Sequence, residues 1–134
     1  MAINFSRLED ITRAMKPLYQ SGKSFHTTFV YHGSKLITIG NNSYDKQNLY
    51  YKFGQYKSNR TQGNYKAGLH SEISSLIRLG LEDCFHLTFV NVRLNNLGET
   101  AISKPCSNCL RNLRAVGYKN LWYYDGEKYI KEKY

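Results

Sequence analysis

His70 and Glu72, followed far downstream by Pro105-Cys106 and Cys109, constrain this chain more than any other feature. The pattern reads H-x-E, then P-C-x-x-C. Two thiolates and an imidazole are donors that suit Zn²⁺. Three protein donors leave the fourth tetrahedral position open, which is the arrangement of a catalytic zinc site. Cys109 lies three residues after Cys106, so on a helix both sulfurs share one face. Pro105 suits a helix start, where its missing N–H is not needed. Cys106 then sits at the positive end of the helix dipole, which favours a thiolate. Residues 69–79 place Leu69, Ile73, Leu76 and Ile77 at helical spacing. His70 and Glu72 are two apart and would diverge in mid-helix. They serve one site only if the metal lies beyond the helix end, so two helix N-termini are expected to converge on it. Taken alone, C-x-x-C is equally a redox pair or half of a structural zinc site. The conjunction of both halves favours the catalytic arrangement.

In chain order, residues 5–20 read as an amphipathic helix. Leu8, Ile11, Met15 and Leu18 recur at helical spacing, and Ser6 with Glu9 forms a capping-box pattern. Pro17 is expected to kink or close its last turn. The Gly22-Lys23-Ser24 that follows is not a phosphate loop, because the upstream glycine is absent and a helix precedes it. Residues 25–31 and 35–41 read as strands of an antiparallel hairpin turned at His32-Gly33-Ser34. His26 and His32 read as ordinary surface or edge residues and not as ligands. Residues 43–66 lack periodicity and interleave Tyr44, Tyr50, Tyr51, Phe53, Tyr56 and Tyr65 with Lys46, Lys52, Lys57, Arg60 and Lys66. A stretch of this kind inside a small domain reads as a flap over substrate, able to stack bases and hold phosphates. Gly80 ends the second helix. Residues 86–94 form a strand opened by His86, with Cys84 a buried small hydrophobe before it. Residues 106–116 form a helix capped by Gly117. Strand 120–124 and strand 127–130 flank Asp125-Gly126, a two-residue hairpin signal. The closing residues 131–134 are expected to fray.

The H-x-E…P-C-x-x-C pattern is the signature of zinc-dependent nucleobase deaminases. Residues 37–124 resemble the cytidine and deoxycytidylate deaminase superfamily. The resemblance rests on the strand ending Gly40-Asn41-Asn42, the helix from His70, strand 86–94, Pro105-Cys106-Ser107-Asn108-Cys109 and strand 120–124. Ser103-Lys104-Pro105-Cys106 and the Gly117…Trp122-Tyr123-Tyr124 ending look most like short viral or phage-type deaminase domains. The resemblance implies a three-layer α/β/α fold with a five-stranded mixed sheet, in one domain spanning 1–134. It implies zinc on His70, Cys106 and Cys109, with Glu72 as proton carrier. It also implies that Asn42, or Asn41 beside it, meets the sugar or base. Ser71 stands where many relatives carry a small Ala, and it leaves the same room near the base. Backbone carbonyls near Ser71 and Ser103 are implied acceptors for the amino group. With no room for a helix between the last two strands, these should be antiparallel, as in the free-cytidine branch. The implied reaction is hydrolytic deamination of a cytosine-type nucleoside or nucleotide, with release of ammonia. A dimer or tetramer is implied by the same relatives.

Composition narrows the partners. The chain has 134 residues, 41% hydrophobic, which suits one folded domain. No apolar run reaches membrane-span length, and residues 1–10 lack the apolar core of a signal peptide. Three cysteines, two of them given to metal, fit a reducing cytoplasm. A net charge of +9 favours anionic partners. One rival therefore keeps the chemistry and places the base within single-stranded DNA or RNA. A second rival is a non-catalytic zinc module.

Overall fold

The computed structural model describes residues 3–19, 24–42, 70–80 and 83–134. The 43–66 stretch, expected to form a flap, lies outside the described residues. Helix α1 spans Phe5–Tyr19. Its start is capped by Asn4, whose side-chain oxygen accepts the Arg7 N–H at 3.1 Å. Asn4 therefore takes the capping role expected of Ser6, which lies one residue inside the helix. Pro17 lies inside α1 and does not end it.

Strands β1 (Phe25–His32) and β2 (Lys35–Asn41) form the expected hairpin. Helix α2 (Ser71–Leu79) follows, then β3 (Leu87–Leu94), β4 (Thr100–Ala101), helix α3 (Ser107–Val116), β5 (Asn120–Tyr124) and β6 (Tyr129–Lys133). The path of the sheet is β2-β1-β3-β5-β6, with β4 paired to β3 alone. β3 and β5 run parallel, and every other pairing is antiparallel. Among the described residues the sheet thus has six strands, not the five expected. The extra one is a two-residue piece set by Asn95, whose side-chain oxygen accepts the N–H groups of Leu97 and Glu99 and folds the chain back on β3. Two residues cannot display a period, so the sequence gives no warning of it.

The last two strands are antiparallel, as expected. Their link is longer than a two-residue turn. Tyr124 pairs with Tyr129, and the Asp125 carboxylate accepts the N–H groups of Glu127 and Lys128. The end of the chain is also tied down. β6 extends to Lys133, the Tyr134 hydroxyl donates to the Arg114 carbonyl, and its ring meets Phe85 and Tyr118 edge-on.

Alternation along the strands splits the core into two layers. Leu8 and Ile11 of α1 pack with Phe29, Val90 and Val92 on one face of the sheet. Ile73 and Leu76 of α2, with Leu113 and Val116 of α3, cover Val30, Phe89, Leu121 and Tyr123 on the other. On the α1 side the buried Thr12 and Thr27 hydroxyls bond each other at 2.8 Å. Phe5 stacks on Tyr129, whose hydroxyl donates to Glu9. The three-layer arrangement sets the N-termini of α2 and α3 side by side. Gly40 makes the approach of α2 possible: a Cβ there would run into the Ser71 carbonyl oxygen and lie 2.6 Å from Ser75 N.

Candidate metal and catalytic site

His70 is the N-cap of α2, extended at φ −80° and ψ 152°. Its ring makes no capping bond to its own helix. Instead Nδ1 lies 3.3 Å from the Cys109 sulfur and 3.6 Å from the Cys106 sulfur. Cys106 is the N-cap of α3, and its sulfur accepts the Cys109 N–H at 3.4 Å. Both helices therefore begin at the cluster, as the spacing of the motif requires. None of the three cysteines forms a disulfide, and Cys84 is buried elsewhere in the core.

The three donor atoms lie within 4.8 Å of one another. Tetrahedral zinc, with Zn–S near 2.3 Å and Zn–N near 2.0 Å, holds nitrogen and sulfur about 3.5 Å apart. The His70–sulfur distances straddle that value, so the donor set fits a metal ion of this size. Among the described residues no fourth His, Cys or acidic donor joins the group. The sulfurs are chemically unequal. Hydrogen bonds from Cys109 pull the Cys106 thiol well below the ordinary thiol range, and His70 adds to this. The Cys109 thiol is pushed up, first by that same bond and then by burial. A proton shared in this way is readily exchanged for a cation.

Glu72, in the first turn of α2, is 5% exposed. One carboxylate oxygen accepts from the Ser71 hydroxyl at 3.2 Å and the other from Asn91 Nδ2 at 3.0 Å. Burial pushes its pKa up, against the pull of its own backbone N–H, His70 and Asn91. The charge of Glu72 adds to the upward push on the Cys109 thiol. A carboxylate so placed holds a proton more readily than an exposed one, and it stands two residues from His70 of the candidate metal cluster.

Asn91 comes from β3 and joins three segments. Its Oδ1 accepts from the Thr28 hydroxyl, and its Nδ2 also reaches the Ser103 carbonyl at 3.2 Å. Ser103 Oγ in turn donates to the Asn91 carbonyl. Thr28 also bonds Ser71 Oγ. The expected list of site residues omits Asn91, Thr28 and Ser103 as side chains. Period-two alternation carried the signal: Phe89 and Asn91 share a face, and an Asn on a core face needs partners.

Asn42 is buried at the end of β2, and its carboxamide oxygen accepts the His26 N–H at 2.9 Å. Its nitrogen reaches the Ser24 carbonyl at 3.5 Å. Asn41 donates to the Asn42 carbonyl. Asn42 thereby ties the end of β2 to β1. Ser71 lies one residue from His70, buried between Thr28 and Glu72.

His26 is not the surface or edge residue expected. β1 is an interior strand, and His26 lies on the same face as Thr28. It is no part of the donor cluster. His32 and His86 meet edge-on at the far end of β1, where both are exposed. Burial, then Arg93, then His70 push the His26 pKa from 6.5 down to about 4. The unfolded chain binds this proton more tightly than the fold does. His26 therefore leaves stability intact above pH 6.5 and removes up to about 3 kcal/mol as pH falls toward 4. Denaturant titration of metal-stripped protein should show a shallower acid limb for His26→Gln than for the wild type. Parallel limbs would refute the assignment.

No protein-family profile matches the chain, and no curated protein does. Among solved structures it is similar to cytidine deaminase from Mycobacterium leprae, with a TM-score of 0.56 and 14% identity over 97% of this chain and 94% of that one. That likeness extends over both core layers and the strands between them, so this chain has a cytidine deaminase-like fold.

Proposed function

We propose that the protein is a zinc-dependent deaminase that converts a cytosine-type nucleoside or nucleotide to its uracil form and releases ammonia. The observation that carries this reading is the buried Glu72 carboxylate, held beside a three-donor cluster that leaves one tetrahedral position open. His70, Cys106 and Cys109 would hold the metal. Zinc, when bound, supplies Lewis acidity that makes water a nucleophile near neutral pH. Glu72 takes a proton from the attacking water. It passes that proton to N3 of the ring, then takes the second proton from the hydroxyl now on C4 and hands it to the amino group, which leaves as ammonia. Water supplies the new carbonyl oxygen, so the reaction needs no further reagent. The raised pKa of Glu72 favours the half of the cycle in which it carries the proton. Ser71, Asn41 and Asn42 frame the space for base and sugar. A cytoplasmic setting accords with the free thiols, and among the described residues no helix is long and apolar enough to cross a membrane.

The test is metal analysis of the purified protein together with ammonia release from cytidine, deoxycytidine, their monophosphates and a cytosine-containing oligonucleotide. The expected outcome is one zinc per chain, with turnover abolished by a chelator and restored by zinc. Zinc at full occupancy with no ammonia from any of these compounds would assign the site to a non-catalytic zinc module.

A further inference from the structure

Arg93 stands two residues beyond Asn91 on β3, and so on the same face of the sheet. Asn91 bonds Glu72, and Arg93 pairs with His26 across β1. β3 ends at Leu94, so Arg93 stands at the carboxyl end of the strand. Its contacts are thin for a half-buried cation. Nη1 reaches the Ile102 carbonyl and Nη2 the Ser24 hydroxyl, each at 3.4 Å. Nε is buried with no partner among the described residues. The ion pairs found there, Arg13–Asp10 and Arg114–Glu132, leave Arg93 without a carboxylate.

A guanidinium keeps its charge at any working pH and offers a planar fork of donors. Holding it partly out of water beside two long, neutral contacts is unfavourable unless an anion arrives. The anion that matches the fork is one with several oxygens in a compact group, and phosphate does so bidentately. Arg93 is one strand step from the residue that seats Glu72, so the phosphate it meets belongs to the molecule whose base is at Glu72. We propose that Arg93 is a specificity residue that receives the phosphate attached to the sugar of the substrate. This rests on the deaminase reading for what the base undergoes, but not for the recognition of phosphate. The phosphate is the 5′-monophosphate of a free nucleotide or a backbone phosphate of a single strand.

Zinc-loaded full-length protein and Arg93→Gln are compared on deoxycytidine, its 5′-monophosphate and a short single-stranded oligonucleotide, by turnover and by calorimetric binding. The ratio of kcat/KM, and of affinity, for the monophosphate over the nucleoside should fall about 10- to 100-fold, the span of a hydrogen bond to a charged group. Arg93→Lys keeps the charge without the fork and should restore part of the ratio, which a folding defect would not do. A fall confined to the oligonucleotide supports the proposal with a backbone phosphate as the source. A salt slope reduced in Arg93→Gln would accompany it. Equal losses on nucleoside and phosphorylated ligands, or no loss of either ratio, overturn it. Phosphate-dependent binding through Arg93 without any ammonia release would keep this assignment and sink the deaminase reading.

Discussion

Glu72→Gln keeps zinc and loses ammonia release by about 10³-fold or more, at the upper end of what a positioned acid–base group supplies. Glutamine preserves the length of the side chain and an oxygen for Asn91 Nδ2, which now bonds the carboxylate at 3.0 Å. What it removes is the ability to take a proton from water and pass it on. Zinc content should match the wild type, because the three groups that could hold the ion are His70, Cys106 and Cys109. Glu72→Ala should lose turnover as well, but it also leaves Asn91 and Ser71 without their acceptor and costs stability. Metal analysis and an ammonia assay on the same preparations decide the matter. Turnover surviving in both variants would remove Glu72 from the mechanism.

Gly40→Ala should lower stability by about 1–3 kcal/mol or more and weaken the zinc site at the same time. The new methyl carbon would meet the Ser71 carbonyl oxygen, with Ser75 N at 2.6 Å and Ser75 Cα at 3.0 Å. All three atoms are backbone of α2, so no rotamer change relieves the clash. The helix must move off β2, taking His70 and Glu72 with it. Gly33→Ala is the control: it sits at φ 62° in the β1–β2 turn with open space around it. It should lose about 1 kcal/mol through backbone conformation and leave metal binding untouched. Thermal unfolding with and without zinc measures both. Equal zinc affinity in the two variants would show that α2 does not depend on this contact.

The residues of the candidate metal site were the easiest to read. Metal donors and a proton carrier need particular side chains at particular spacings, and H-x-E with P-C-x-x-C matches that need. Helices beginning at His70 and Cys106 followed from the same spacing, and the structure places each residue at an N-cap. The residues that seat this chemistry were hidden for a different reason. Asn91 lies between Val90 and Val92, so its importance depends on which face of the sheet meets α2. That is decided by packing between segments far apart in the chain. Gly40 is a similar case: its value lies in an approach between β2 and α2 that no local pattern records. The strand β4 escaped because two residues are too few to show a pattern.

The bridge through Asn91 separates two tasks that a metalloenzyme often merges. Glu72 is anchored to the floor of the sheet by a hydrogen-bonded chain through Asn91 to Thr28 and Ser103. An ion at the candidate site would instead be held by the starts of two helices, at His70 and Cys106. Emptying that site would leave the hydrogen bonds that seat the Glu72 carboxylate unbroken.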